Sequence, residues 1–141
     1  MNTKPKSPYE KTNGMMWFPR MLDKIRLHSQ GGLHPDFHAN LGSPKGADGF
    51  CCRFLRVTYS DLRNRVLEGG TDEEILLWRH ERGRKLDETD LVVWNEFARK
   101  FGWNDLATPR LQQLKAQSGL ADRDDITTMT EYMEVDEGRK A

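Results

Sequence analysis

Between Pro19 and about Gln30 the apolar residues Met21, Leu22 and Ile25 recur at helical spacing behind a first-turn proline, and Gly31-Gly32 ends the run. This is the first predicted helix. A second follows Thr58 and Asp61, with Leu62, Val66 and Leu67 on one stripe up to Gly69-Gly70. Thr71 with Glu74 reads as a capping box, and Asp72, Glu73 and Glu74 place carboxylates at the positive end of a third helix. Its Ile75, Leu76, Leu77 and Trp78 point in most directions around the axis, which predicts burial on several sides. Asp87 then caps the clearest helix, in which Leu91, Trp94, Phe97, Ala98 and Phe101 form one broad apolar face closed by Gly102. Thr108-Pro109 starts a fifth helix through Leu111 and Leu114 toward Gly119, with Thr108 read as its cap. Asp122 and Asp125 are read as opening a sixth, which carries Ile126, Met129 and Met133.

Three stretches fall outside this pattern. Residues 1–16 hold Pro5, Pro8 and Gly14 among polar residues and predict an extended N-terminal arm with few burial partners. Residues 31–50 are rich in Gly, with Pro35, Pro44, His34 and His38, and predict one long loop, which in a small domain implies a task. CCRFLRV, residues 51–57, has strand-like composition, yet Arg53 and Arg56 do not alternate cleanly with the apolar positions, so helix and strand both stay open there. The expected fold is all-α: a compact single-domain bundle of about six helices over residues 17–135, with one Gly-rich loop, the arm, and a frayed tail from 136 to 141.

Composition narrows the function classes. Lys plus Arg and Asp plus Glu both number 22, so the chain lacks the basic excess used against phosphate backbones, and nucleic acid is not an expected partner. The balance conceals a gradient, with the basic excess in residues 1–70 and the acidic excess in 71–141. No window approaches a membrane span, and no secretory leader precedes the first helix, so a cytoplasmic protein without membrane contact is expected. Cys51 and Cys52 are adjacent and cannot staple distant segments.

Candidate chemistry gathers at the first helix and the loop. In WFPRMLDKIRLH, residues 17–28, Arg20, Asp23, Lys24, Arg26 and His28 lie beside Trp17 and Phe18, and His28 shares the face of Met21 and Ile25, which predicts partial burial. His34 and His38 flank Asp36, but the spacing to Cys51-Cys52 matches no closed zinc pattern, so His28, His38 and Asp48 are only weak metal candidates. The cysteines read first as small buried residues and second as a reactive thiol activated by Arg53 or His28. GGT before the third helix suggests a phosphate cradle, which the three following carboxylates would repel. Three of the four tryptophans are expected in the core. The cluster Met15-Met16-Trp17-Phe18 suits a core, an oligomer contact or a pocket wall.

The stretches WFPRMLDKIRLH (17–28), HANLG (38–42), CCRFL (51–55), GGTDEEI (69–75), WNEF with GW (94–103) and SGLADRDDI (118–126) together resemble the bacterial family catalogued as domain of unknown function 5069. The resemblance spans nearly the whole domain and implies a bacterial, cytoplasmic, single-domain protein without supplying a mechanism. The residues themselves suggest a self-associating binding or interaction domain, in which the 31–50 loop and the first helix shape a polar pocket for a small anionic ligand. Trp17, Arg20, Asp23 and Lys24 would line it from the helix side, and His28, His38, Asp48 and Arg53 would complete it. Arg20, Lys24 and Arg53 would hold the anion, with His28 and Asp48 moving protons in any reaction. The alternatives are an enzyme, with a His28/His38/Asp48 metal site or a thiol at Cys51 or Cys52 as catalytic group, and a structural protein-interaction module. No cofactor is expected.

Overall fold

Three helices begin where their capping residues place them. In the computed structural model, which describes residues 4–141, the Thr58 hydroxyl accepts the Asp61 amide ahead of a helix at Tyr59–Leu67. Thr71 and Glu74 close a reciprocal capping box ahead of Asp72–Arg82, and Asp87 and Asp90 do the same ahead of Glu88–Lys100. In chain order the described elements are β1 (Lys11–Thr12), β2 (Met15–Met16), α1 (Phe18–Ser29), a 3-10 helix (Pro35–Asn40), α2 (Ala47–Phe54), α3 (Tyr59–Leu67), α4 (Asp72–Arg82), α5 (Glu88–Lys100), α6 (Thr108–Gln117) and α7 (Met129–Asp136). The fold is a mostly helical single domain around one hydrophobic core, with a single two-residue hairpin among the described residues. No helix among them is long and apolar enough to cross a membrane.

Several local expectations are corrected. CCRF is helical, and α2 starts at Ala47, inside the expected loop. Gly49 is the reason: a Cβ there would meet the Ser43 carbonyl oxygen at 2.3 Å, so this glycine lets the 43–44 turn lie against the helix. The rest of the 31–50 stretch contains the 3-10 helix, whose start is capped by the His34 ring accepting the Asp36 amide. At α6, Thr108 is the first helical residue, and its hydroxyl bridges the Asp105 amide and the Gly102 carbonyl, so it serves the preceding turn. The last helix begins at Met129 under a Thr128 cap, later than Asp122 or Asp125. Lys115 of α6 explains the delay, because its buried ammonium donates to the carbonyls of Arg123 and Ile126 and holds that segment as turns.

Residues 4–16 of the expected extended arm pack against the rest of the chain, and residues 1–3 lie outside the described residues. Lys11 pairs with Met16 and Thr12 with Met15 in an antiparallel hairpin that buries Thr12, Met15 and Met16. Together with Trp17 and Phe18 they join the core. Trp94 is buried as well, Trp78 is half-buried, and Trp103 is exposed, one fewer core tryptophan than expected. In α4 only Ile75, Leu76 and Arg79 are buried while Leu77 faces solvent, so that helix covers one side and is not surrounded. α1 runs against α3, α4 and β1, and α5 against β2 and α7. The side of α1 left over, carrying Arg20 and Lys24, turns toward α2 and α7.

Candidate functional site

Arg20 and Lys24 are one helical turn apart on α1, and both are buried to within 3% of full exclusion from solvent. Each has a carboxylate from a distant part of the chain. Lys24 Nζ lies 2.9 Å from Asp48 Oδ2, at the start of α2. Arg20 binds Glu137 in two parallel hydrogen bonds of 2.8 and 2.7 Å, just past the end of α7. These pairs fasten both the 31–50 segment and the C-terminal segment to the first helix. Burial pushes the Lys24 ammonium below its ordinary pKa, and the neighbouring Arg20 charge adds to this against the opposing pull of Asp48.

Trp17 links the two pairs. Its indole donates to Asp48 Oδ1 at 2.9 Å, and the Arg20 and Lys24 cations lie 5.4 and 5.6 Å from its ring centre. Its backbone is at φ 73°, a left-handed conformation costly for a bulky side chain, so the surrounding contacts must hold it there. Asp48 also accepts the Gly42 amide at 3.1 Å. Gly42 has φ 65°, and a Cβ on it would sit 2.5 Å from the Tyr59 ring, so glycine is needed for the loop to reach this carboxylate.

These four charged residues and Trp17 form part of the wall of a cavity of about 940 Å³. From the loop come His34, Asp36, Phe37, Asn40, Ser43, Lys45, Gly46 and Ala47. From the far side come Phe101, Leu106, Ala107, Arg110 and Leu114, then Met129, Tyr132, Met133, Asp136 and Glu137. Lys4, Gln117 and Ser118 complete the lining, so the wall is charged toward α1 and mixes apolar with polar residues toward α6 and α7. At its edge, Lys45 and Arg110 are exposed and have no carboxylate partner among the described residues.

Of the eight residues expected to line the pocket, the structure brings Trp17, Arg20, Lys24 and Asp48 together at this wall, with His34 and Asp36 beside them from the loop, and it places Asp23, His28, His38 and Arg53 elsewhere. Asp23 is half-buried and accepts the Lys6 amide at 2.9 Å. His28 is exposed, contrary to the expected partial burial, because it lies in the last turn of α1 beyond the core. Its ring meets that of His38 edge to face at 4.7 Å, also in solvent. Arg53 lies over Phe50 and donates to the Pro44 carbonyl, away from the cavity. Glu137 and the α6 and α7 residues were missed, Glu137 because it falls in a segment read as a frayed tail.

Both catalytic alternatives lose their expected geometry. Asp48 is occupied by Trp17, Lys24 and Gly42, and among the described residues no group of three or more His, Cys, Asp or Glu is arranged to hold a metal. Cys51 and Cys52 are free and buried. Burial raises the Cys51 pKa well above the ordinary thiol value and pushes Cys52 up to about 12, with the Asp48 carboxylate adding to both. This is the reverse of an activated thiolate.

Comparison with known proteins agrees with the family resemblance. Residues 2–139 match the family described as a domain of unknown function (DUF5069). The chain belongs to that family. Among curated proteins none matches. Family membership brings no activity with it, so any functional reading rests on the cavity and its charges.

Proposed function

We propose that this domain binds a small anionic ligand in the cavity between α1, the 31–50 segment and the α6–α7 wall. The observation that carries the reading is the pair of buried ion pairs, Lys24–Asp48 and Arg20–Glu137, set in the wall of a cavity of about 940 Å³. Ion pairs taken out of water contribute little net stability, because desolvation offsets most of their attraction. A large concavity with a few convergent polar groups is the usual form of a ligand site. Arg20 and Lys24 are committed to Glu137 and Asp48, so they act as a rigid polar floor. The ligand's charge is met at the rim by Lys45 and Arg110. Leu114, Met129 and Met133 then receive an apolar portion, which makes a carboxylate with a hydrocarbon body the best match.

Thermal unfolding of the full chain with octanoate, succinate or inorganic phosphate tests this. Octanoate is expected to raise Tm most, and the exposed double variant Lys45→Ala/Arg110→Ala is expected to lose the response while unfolding at the unliganded wild-type temperature. No stabilisation by any of the three, or an unchanged response in the double variant, rejects the site.

A second reading has its own observation. Trp103 and Leu106, between α5 and α6, are exposed by 55% and 65%. We propose that this loop mediates self-association, for which Trp103→Lys/Leu106→Lys should lower the mass seen by sedimentation. Free, buried cysteines also suit a reducing compartment, so we assign the domain to the cytoplasm.

A further inference from the structure

A second concavity of about 480 Å³ lies away from this cavity, bordered by Phe50, Phe54, Trp94, Phe97 and Val93 and by three arginines. No carboxylate belongs to its wall. Arg53 lies 4.7 Å from the centre of the Phe50 ring and Arg84 4.4 Å from that of Phe54, so two guanidinium groups lie over aromatic rings. A guanidinium held over a ring still has five N–H donors to offer to acceptors around it. Arg84 spends two of its donors on the Phe54 carbonyl and Asp90, and Arg53 spends one on the Pro44 carbonyl. Arg53 and Arg56 have no carboxylate partner among the described residues.

Arg56 supplies an independent observation. It follows α2 at φ 57°, with the Val57 amide returning to the Cys52 carbonyl at 2.9 Å, a helix ending whose left-handed position is usually glycine. An arginine occupies it here, exposed and at the edge of an aromatic floor. Non-glycine residues in this conformation cluster where a side chain is needed in one place.

We propose that this groove is a binding site for a small aromatic anion, whose ring lies against Phe50, Phe97 and Val93 and whose carboxylate or phosphate is held by Arg53 and Arg56. The ring requirement follows from the aromatic floor, because planar groups stack offset or edge-on with such rings. The charge requirement follows from two exposed guanidinium groups without carboxylate partners among the described residues, which offer charge-assisted hydrogen bonds to an anion. The volume of about 480 Å³ suits one small molecule. This site is separate from the cavity proposed above, and neither depends on the other.

The test is two-dimensional amide NMR of the full chain, titrated separately with phenyl phosphate, benzoate, inorganic phosphate and benzyl alcohol. Phenyl phosphate and benzoate are expected to move the amides of Phe50, Arg56 and Val93 saturably, with phosphate and benzyl alcohol at least about tenfold weaker because each lacks one half of the recognition. Arg53→Ala/Arg56→Ala removes two exposed side chains, keeps the fold, and should weaken phenyl phosphate about tenfold or more. The proposal is overturned if neither aromatic anion moves these amides at about 10 mM. It is equally overturned if the shifts fall only on cavity residues such as Lys45 and Arg110, if benzyl alcohol binds as tightly, or if the double variant binds unchanged.

Discussion

The two concavities handle positive charge in opposite ways. In the large cavity Arg20 and Lys24 are buried, and each is met by a carboxylate from elsewhere in the chain, Glu137 or Asp48. In the smaller groove Arg53 and Arg56 are exposed, Arg53 is met by the Phe50 ring and the Pro44 carbonyl, and neither has a carboxylate partner among the described residues. A cation removed from water must bring its counter-ion with it or lose its charge, whereas one at the surface keeps water on one side and needs no partner. The buried cations therefore organise the fold around a polar floor. The surface ones remain available to something outside it.

The contrast is broken most directly at Asp48. Asp48→Ala leaves Lys24, the Trp17 indole and the Gly42 amide without their acceptor, and the expected loss is about 3–5 kcal/mol in urea unfolding, the range for removing one partner of a buried pair. Gly42→Ala attacks the same carboxylate through the backbone. Its methyl group enters the Tyr59 ring and its φ is unfavourable, so about 1–3 kcal/mol should be lost on the same assay. Arg56→Gly probes the other side: glycine takes the left-handed position without strain, and stability should rise by about 1 kcal/mol while any affinity for phenyl phosphate falls. Arg53→Ala should change stability least, within about 0.5 kcal/mol, since its charge has no buried partner.

Titration sharpens the same contrast. Folding lowers the pKa of Lys24, so between the folded value and the ordinary one of 10.5 the unfolded chain holds a proton that the folded chain has released. The Lys24 contribution to stability is therefore smallest while it is charged in both states, and it climbs as pH rises through that window. Comparing the alkaline slope of unfolding free energy in wild type and Lys24→Met should show a less positive slope in the variant.

Local signals in the sequence were read where the partner lies within a few residues. The caps Thr58, Thr71 and Asp87 each bind an amide three residues on, and all three helices start as expected. Thr128 with Glu131 has the same three-residue form and starts α7, whereas the region of Asp122 and Asp125, where the sequence pattern predicts the start, is held as turns by Lys115 from α6. Gly49 counted as a loop residue because its use, admitting the 43–44 turn, depends on a contact that no helical pattern encodes. The site divides in the same way. Trp17, Arg20 and Lys24 share one helix face and could be grouped from spacing, but Glu137 joins them across 117 residues of chain. Nothing periodic announces that pairing.

Glu137 also sits at a clasp. Lys4 donates to its backbone carbonyl, Arg139 to its carboxylate and to the Pro5 carbonyl, and Ser7 to Glu134, so the first and last described segments lie side by side. A proteolytic nick before Ser7 or after Asp136 would remove half of this clasp and admit water to the Arg20 guanidinium. A circularly permuted chain that joins the two segments by a short bridge, with new ends at an exposed turn, would instead keep the clasp closed.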